Sequence, residues 1–165
     1  YQTKAVSKVC LKKAPLKVDK IGSVCQITNS NLGAENSGAP VHAENAREST
    51  AGTNKVKISF KISNKDVGAV FQTNTFSDAC VGHDDERDQV KVTVYNPERN
   101  FNIECPLLSN SNTGVVKLIS KEREVSCTID TTNMQDITFQ DLIIVQLDYM
   151  YRQAVIIPLR IRSEG

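Results

Sequence analysis

The sequence contains no tryptophan, and only 5% of its residues are aromatic. No uninterrupted apolar run exceeds four residues, the length of the run at 142–145, which is far too short to span a bilayer. No stretch of useful length shows the period of an amphipathic helix. These absences argue against a helical bundle and against a membrane-spanning helix, so we expect the chain itself to be soluble. The sequence leaves open a membrane anchor preceding Tyr1.

Sequence motifs of enzymes are also missing. The two histidines, His42 and His83, lie far apart and lack the spacing of a zinc-protease motif. The chain has no nucleophile elbow, no glycine-rich phosphate loop and no dinucleotide fingerprint. An enzyme of this sequence would need a site assembled from scattered groups. We therefore expect no enzymatic activity and no cofactor.

The charge is nearly balanced overall but unevenly distributed. A net charge of +1 gives no global attraction to nucleic acid. Residues 1–28 carry six lysines and one aspartate, a local charge of +5 that leaves −4 on the remainder. Only Tyr1 accompanies these lysines as an aromatic residue, so base stacking is poorly supported and we expect no nucleic-acid partner. The segment is either one that orients toward an oppositely charged surface, or a solvated edge that discourages strand pairing.

The most polar cluster is the sequence DACVGHDDERD at residues 78–88. Hard cations bind oxygen ligands, so Asp84, Asp85 and Asp88 are weak candidates for a cation site. Their spacing does not follow the alternation of a calcium-binding loop, and Arg87 would oppose a cation. The cysteine and histidine of this loop do not complete a tetrahedral zinc sphere. We therefore interpret the cluster as a solvated acidic loop and expect no metal.

Four of the five cysteines lie in segments with strand-like alternation. Cys10 and Cys25 flank a polar loop, and a disulfide between them would stabilise the fold by about 3 kcal/mol. Cys105 and Cys127 form a plausible second pair. Cys80 is left over, which indicates an intermolecular bond, a free thiol or a different pairing scheme. The alternative is that all five are reduced, buried residues of a cytosolic protein.

The odd-numbered residues of the stretch 142–161 are apolar except at Gln153, where the polar pair Arg152-Gln153 interrupts the alternation. Because side chains alternate between the two sides of a strand, this period predicts one apolar face carried through two strands. Pro158 cannot donate a backbone hydrogen bond and indicates an edge or a bulge. We interpret the two tyrosines of the set as core or interface residues. The apolar positions are Ile143, Val145, Leu147, Tyr149, Tyr151, Val155, Ile157, Leu159 and Ile161.

From residue 55 onward, short alternating segments are separated by turn residues at intervals typical of a sandwich. The predicted fold class is therefore all-β, an immunoglobulin-like antiparallel β-sandwich of about seven or eight strands over residues 55–165. Residues 29–54 are predicted to be a linker, with a short strand at 41–45 leading into the sandwich. Residues 1–28 are predicted to be a separate extended segment or β-hairpin.

Several strings of the chain together resemble a group of archaeal cell-envelope proteins. They are YQTKAVSKVCL, SVCQI, GAPVHAENA, KVKISFKISNKDVGAVF, VVKLISKEREVSCTID and LIIVQLDYMYRQAVIIPLRI. The group carries a cysteine-bearing extended segment and an immunoglobulin-like sandwich, often behind a hydrophobic amino-terminal segment. The resemblance implies an extracellular or cell-surface location and a sandwich fold, and it transfers no catalytic residue.

Two functional hypotheses follow. In the first, the protein is a non-enzymatic structural subunit of an extracellular filament or surface layer. Its amino-terminal segment would then add a strand to the sheet of a neighbouring copy. In the second, the chain is the ectodomain of an anchored envelope protein that binds a protein or a glycan through its loops. The residues predicted to form the assembly segment are Val6, Val9, Leu11, Val24 and Ile27.

Overall fold

The computed structural model describes residues 1–17, 22–28, 31–75 and 84–158, and this part of the chain is all-β. Every pairing between its strands is antiparallel, as predicted. Two 3-10 turns, Asp84–Glu86 and Pro106–Leu108, interrupt the strands. The strands are β1 (Gln2–Leu11), β2 (Glu35–Asn36), β3 (Val41–Thr50), β4 (Lys55–Asn64), β5 (Ala69–Phe71), β6 (Gln89–Tyr95), β7 (Ile103–Glu104), β8 (Thr113–Lys117), β9 (Glu122–Asp130), β10 (Phe139–Asp148) and β11 (Met150–Arg152).

Two sheets enclose the core. Sheet A has the strand order β2-β1-β10-β6-β8, and sheet B has the order β3-β4-β9-β7. A small third sheet consists of β5 and β11. Inward-facing residues of sheets A and B form one buried cluster, as the period-two pattern of the sequence predicts. Examples are Ile58 and Phe60 of β4, Val92 of β6, and Val145 and Leu147 of β10.

The prediction that residues 1–28 form a separate unit is wrong. β1 pairs with β10 along its whole length, from Gln2 opposite Asp148 to Leu11 opposite Phe139. Residues 22–28 contain no strand, so no hairpin forms within the described part of this segment. The alternating apolar residues of β1 complete the inner face of sheet A, which explains why the strand belongs to the sandwich.

The predicted linker at 29–54 contains one of the longest strands of the fold. β3 runs through residue 50, well beyond the short strand expected at 41–45, and pairs with β4. A bulge shifts the register between Glu44 and Arg47, where Asn45 has a φ of 55°. Inward-facing positions are therefore odd before the bulge, at Val41, and even after it, at Glu48. This change of parity concealed the strand in the sequence.

The second strand predicted within residues 142–161 is largely absent. β11 is only three residues long because its last residue, Arg152, lies opposite Ala69, the first residue of β5. Residues 153–158 have no strand to pair with and are exposed, so Val155 and Ile157 do not continue the buried face. Leu159 and Ile161 lie outside the described residues.

The sandwich has two distinct ends. At the loop end, β3, β6 and β9 finish, and residues 51–54, 96–102 and 131–138 connect the strands. At the tail end, β10 finishes and the chain passes through β11 into residues 153–158. Of the two 3-10 turns, only Asp84–Glu86 belongs to one of these ends, since it lies beside β5 at the tail end. Pro106–Leu108 lies between the sheets along one side.

Candidate interaction surfaces

The five residues predicted to form the assembly segment do not share one surface. Val9 and Leu11 are buried in the core, and Val6 is half-buried in β1. Ile27 is partly buried against the core. Only Val24, with 75% of its surface exposed, is open to solvent. In this structure the amino-terminal segment completes its own sandwich.

β1 is held on both sides. Beyond its pairing with β10, the backbone N–H of Lys4 donates to Ser37 Oγ at 3.0 Å. The N–H of Cys10 donates to Glu48 Oε2 at 2.7 Å, which ties sheet A to sheet B. Burial raises the pKa of Glu48, and this hydrogen bond opposes the increase. β1 could pair with a neighbouring copy only by leaving its own sheet.

Both predicted disulfides are present. The Cys10–Cys25 bond fastens the loop after β1 to the loop end. The Cys105–Cys127 bond joins neighbouring strands of sheet B, continuing the register of β7 and β9. In antibody domains the conserved disulfide connects the two sheets, whereas this disulfide lies within one sheet. Cys80 lies outside the described residues.

The described part of the acidic cluster, residues 84–88, lies at the tail end. Asp84 and Asp85 begin an exposed 3-10 turn, and Asp88 follows it with a backbone N–H that donates to Val70 O at 2.7 Å. Arg87 Nε lies 4.0 Å from Asp88 Oδ2. Across the described ranges, no group of three or more potential metal-ligating side chains occurs. His83 belongs to the residues that the structure does not describe.

A cluster of three tyrosines anchors the chain where it enters the tail. Tyr149 is buried, and its ring stacks on that of Tyr1 at 5.8 Å between centroids. The ring of Tyr151 meets Tyr1 edge-on at the same distance. Tyr149 Oη lies 3.1 Å from Thr3 Oγ1 and accepts a hydrogen bond from Val41 N at 3.1 Å. Burial raises the pKa of Tyr149, so this hydroxyl stays protonated and links the two sheets.

The base of the tail is also fixed by close packing. Gly68 N–H donates to Tyr151 Oη at 2.8 Å. A Cβ atom at position 68 would overlap the Tyr151 ring, so only glycine fits there. The guanidinium of Arg152 lies 5.0 Å from the centroid of the Phe71 ring.

Beyond this anchor, residues 153–158 form an exposed apolar segment, called here the carboxyl-terminal segment. The exposed fractions of Val155, Ile156 and Ile157 are 77%, 92% and 75%. A contiguous exposed apolar run of this kind is a candidate contact surface. The run is apparent in the sequence, but its alternation predicts a buried strand there, not an exposed segment.

One edge of each main sheet is covered. The side chain of Asn36 donates to Ala43 O at 2.8 Å and accepts from Ala43 N at 2.9 Å, so it occupies the outer edge of β3 as a strand would. Leu32 N donates to Ala46 O at 2.8 Å farther along the same edge. These contacts close the side of the sandwich formed by β2 and β3.

The outer edge of β8 is open within the described part of the chain. Leu118 N donates to Asp88 O, and Val94 N donates to Asn112 O. In the register of β6 and β8, the backbone N–H and C=O groups of the even-numbered residues of β8 therefore point toward β6. The backbone groups of Val115 and Lys117 therefore point away from sheet A. The side chain of Val115 is 41% exposed. β8 thus offers an edge to which a further strand can add.

At the loop end, two connections enclose an open groove of about 640 Å³, called here the loop-end groove. Asn96 Oδ1 accepts from the backbone of Glu98, and Asp130 N donates to Asn102 O, so both walls are fixed. The hydrogen bonds that Asp130 receives from Thr132 lower the pKa of its carboxyl group. The sequence analysis predicted no site at these residues. The lining residues are Arg99, Asn100, Phe101, Asn102, Asp130, Asn133, Met134, Gln135, Ile137 and Phe139.

An ion pair and a stacked ring lie beside this groove. Arg99 Nε lies 3.3 Å from Asp141 Oδ2, and its guanidinium lies 4.7 Å from the centroid of the Phe139 ring. Asp141 Oδ2 is buried, and this contact lacks the geometry of a hydrogen bond. The charge of Arg99 is therefore compensated by one carboxylate.

The described residues include no helix long and apolar enough to cross a membrane. No protein-family model matches the chain, and no curated protein sequence matches it. Among solved structures, the chain is similar to envelope protein VP37 of White Spot Syndrome Virus, at 12% identity and a TM-score of 0.36. That match covers 89% of this chain and 95% of the viral chain, and at this TM-score it carries no argument about function.

Proposed function

We propose that the protein is a non-enzymatic structural subunit of an extracellular or cell-surface assembly, a filament or a surface layer, joined by strand addition between copies. The observation that carries the proposal is the exposed carboxyl-terminal segment, which replaces the amino-terminal segment as the donor strand. Two disulfides support an oxidising compartment, and the sequence resemblance to archaeal cell-envelope proteins favours the cell surface.

The donor has the chemistry of an unpaired strand. Val155, Ile156 and Ile157 are β-branched, a residue class enriched in strands. A single strand in water gains little by itself, so such a run is stabilised by pairing and by burial of its side chains. Pro158 has no backbone N–H, which limits the pairing stretch to the residues before it.

The acceptor in this proposal is the open edge of β8 in a neighbouring copy. The five residues of β8 match the length of the donor, and its outward backbone groups at Val115 and Lys117 would bond to the added strand. Donor and acceptor are different surfaces, so the contact is heterologous. A heterologous contact that does not close on itself produces a filament.

The mass of native protein in solution, measured by light scattering with and without reductant, tests the proposal. Large polymers that survive reduction are expected from strand addition, whereas polymers lost on reduction would assign the junction to an intermolecular disulfide of Cys80. A monomer under both conditions would overturn the proposal. It would favour the alternative, an anchored ectodomain that binds a protein or a glycan.

Four substitutions identify the segments involved. Ile156→Asp should abolish polymers, whereas Val67→Asp, at a valine 77% exposed in another loop, should leave them intact. Val115→Pro removes an outward N–H and should block the acceptor edge without loss of folding. Val24→Asp tests the amino-terminal prediction, and loss of polymers in this variant alone would return the donor role to residues 1–28.

A further inference from the structure

The loop-end groove has unused hydrogen-bonding capacity. Four amide side chains surround it, from Asn100, Asn102, Asn133 and Gln135. None of the four makes a side-chain hydrogen bond to another described residue. Each amide offers both a donor and an acceptor to a ligand.

The lining of the groove includes one positively charged and one negatively charged side chain. Its one cation, Arg99, is paired with Asp141 and lies over Phe139. Its one carboxylate, Asp130, already accepts hydrogen bonds from Thr132. An anion would find no uncompensated positive charge here, and a cation would find only a carboxylate that is already bonded. A neutral, polar ligand fits these surroundings best.

Apolar side chains form the floor between the amides. Phe101, Met134 and Phe139 are partly buried and pack against the core, and Ile137 is 54% exposed. A sugar ring presents hydroxyl groups around its edge and C–H groups on its faces, and so needs both surfaces at once. The volume of about 640 Å³ lies within the ordinary range of ligand sites.

We propose that the loop-end groove binds a neutral saccharide, with the amides of Asn102 and Asn133 bonded to ring hydroxyls and the ring face against Phe101 and Met134. The two walls are held by backbone and side-chain bonds before any ligand arrives, so little ordering cost opposes binding. An extended peptide is a poorer occupant because strand addition needs a strand edge, and the groove is lined almost entirely by loop residues. The inference does not depend on assembly through the carboxyl-terminal segment.

The test is titration of the full chain, followed by amide NMR, with neutral trisaccharides of glucose, galactose, mannose and N-acetylglucosamine. Trigalacturonic acid and an uncharged pentapeptide serve as comparison ligands. We expect at least one neutral trisaccharide to shift the amides of residues 99–102 and 130–137 at millimolar concentration. The combined substitution Asn102→Ala and Asn133→Ala should weaken this binding about tenfold.

A matched control removes an amide at the opposite end, outside the carboxyl-terminal segment. Gln72→Ala should bind the saccharide as the unmodified chain does, and both variants should retain the thermal unfolding temperature. The proposal is overturned if no neutral trisaccharide shifts the groove amides. It is also overturned if the acid or the peptide binds there as well as the sugar, or if the double variant binds with unchanged affinity.

Discussion

The two ends of the sandwich differ in how their backbone is anchored and in what they leave exposed. At the tail end, three tyrosines and a close glycine contact hold the backbone firmly, and the chain then leaves as an unpaired apolar segment. At the loop end, a disulfide and side-chain caps hold the connections, and unbonded amides remain around a groove. The first end is suited to hydrophobic contact with another strand and the second to polar recognition. The proposed donor segment and the proposed saccharide groove therefore lie at opposite ends of the sandwich.

The largest change in the stability of one end relative to the other should follow from removing the disulfide at the loop end. Replacing Cys10 and Cys25 together by serine releases the loop after β1 and should lower the free energy of unfolding by about 3 kcal/mol. Denaturant unfolding measures the loss. Hydrogen exchange should show faster opening at the loop end, with the amides of Val41 and Tyr149 at the tail end least affected. Equal loss of protection at both ends would contradict the separation.

At the tail end, Tyr149→Phe should cost about 1–3 kcal/mol, because the buried N–H of Val41 loses its partner and Thr3 loses a neighbour. Thermal unfolding measures the change. Tyr95→Phe is the matched control, since the hydroxyl of Tyr95 has no hydrogen bond within the described structure, and its effect should be near zero. An unchanged unfolding temperature in Tyr149→Phe would show that the hydroxyl does not couple the sheets.

The glycine contact at the tail end should give a smaller and more local effect. In Gly68→Ala the new methyl group must displace the Tyr151 ring, which should cost about 1 kcal/mol or more and loosen the pairing of β5 with β11. Exchange of the Val70 and Met150 amides reports this directly. Gly38→Ala, where a methyl group meets no atom within 4 Å, should leave both amides unchanged.

The smallest effect is a pH dependence at the loop end. Glu48 is 3% exposed, and burial raises its pKa above the ordinary value of 4.5. The folded chain then holds this proton more tightly than the unfolded chain. Its contribution to stability is therefore fully present below the unfolded pKa and declines as pH rises through the folded pKa.

Glu48→Gln keeps an oxygen for the Cys10 N–H but removes the ionisation. Relative to the unmodified chain, the variant should gain stability as pH rises from below the ordinary glutamate pKa toward neutrality, measured by urea unfolding at each pH. Glu35→Gln, at an exposed position, should show no such trend. A constant difference between Glu48→Gln and the unmodified chain across this range would contradict the assignment.

Long strands with unbroken alternation were predictable from the sequence. β4 and β10 were placed correctly because Ile58, Phe60, Ile143 and Leu147 repeat every second residue, and that period depends only on local geometry. β3 was mostly missed because the positive φ of Asn45 reverses the parity midway. No local pattern signals a bulge in such a polar segment.

The candidate surfaces were harder to predict because they depend on which strands are neighbours. The run Val155 to Ile157 is apolar in sequence whether or not a partner strand exists, and only the shortness of β5 leaves it exposed. The loop-end groove combines two loops that are distant in sequence and joined by one hydrogen bond, from Asp130 to Asn102. Turn chemistry predicted each loop separately and could not predict that they face one groove.

The pairing of β1 with β10 also governs the order in which the chain can fold. Gln2 and Thr3 meet partners 146 residues later, so sheet A cannot close until β10 has been synthesised. Contacts of such long sequence separation form slowly, because a large loop must close before they contribute. The Cys10–Cys25 bond, by contrast, spans only 15 residues and can form while most of the chain is still unfolded. A chain exported in an extended state would thus form the Cys10–Cys25 disulfide early and the pairing of β1 with β10 last.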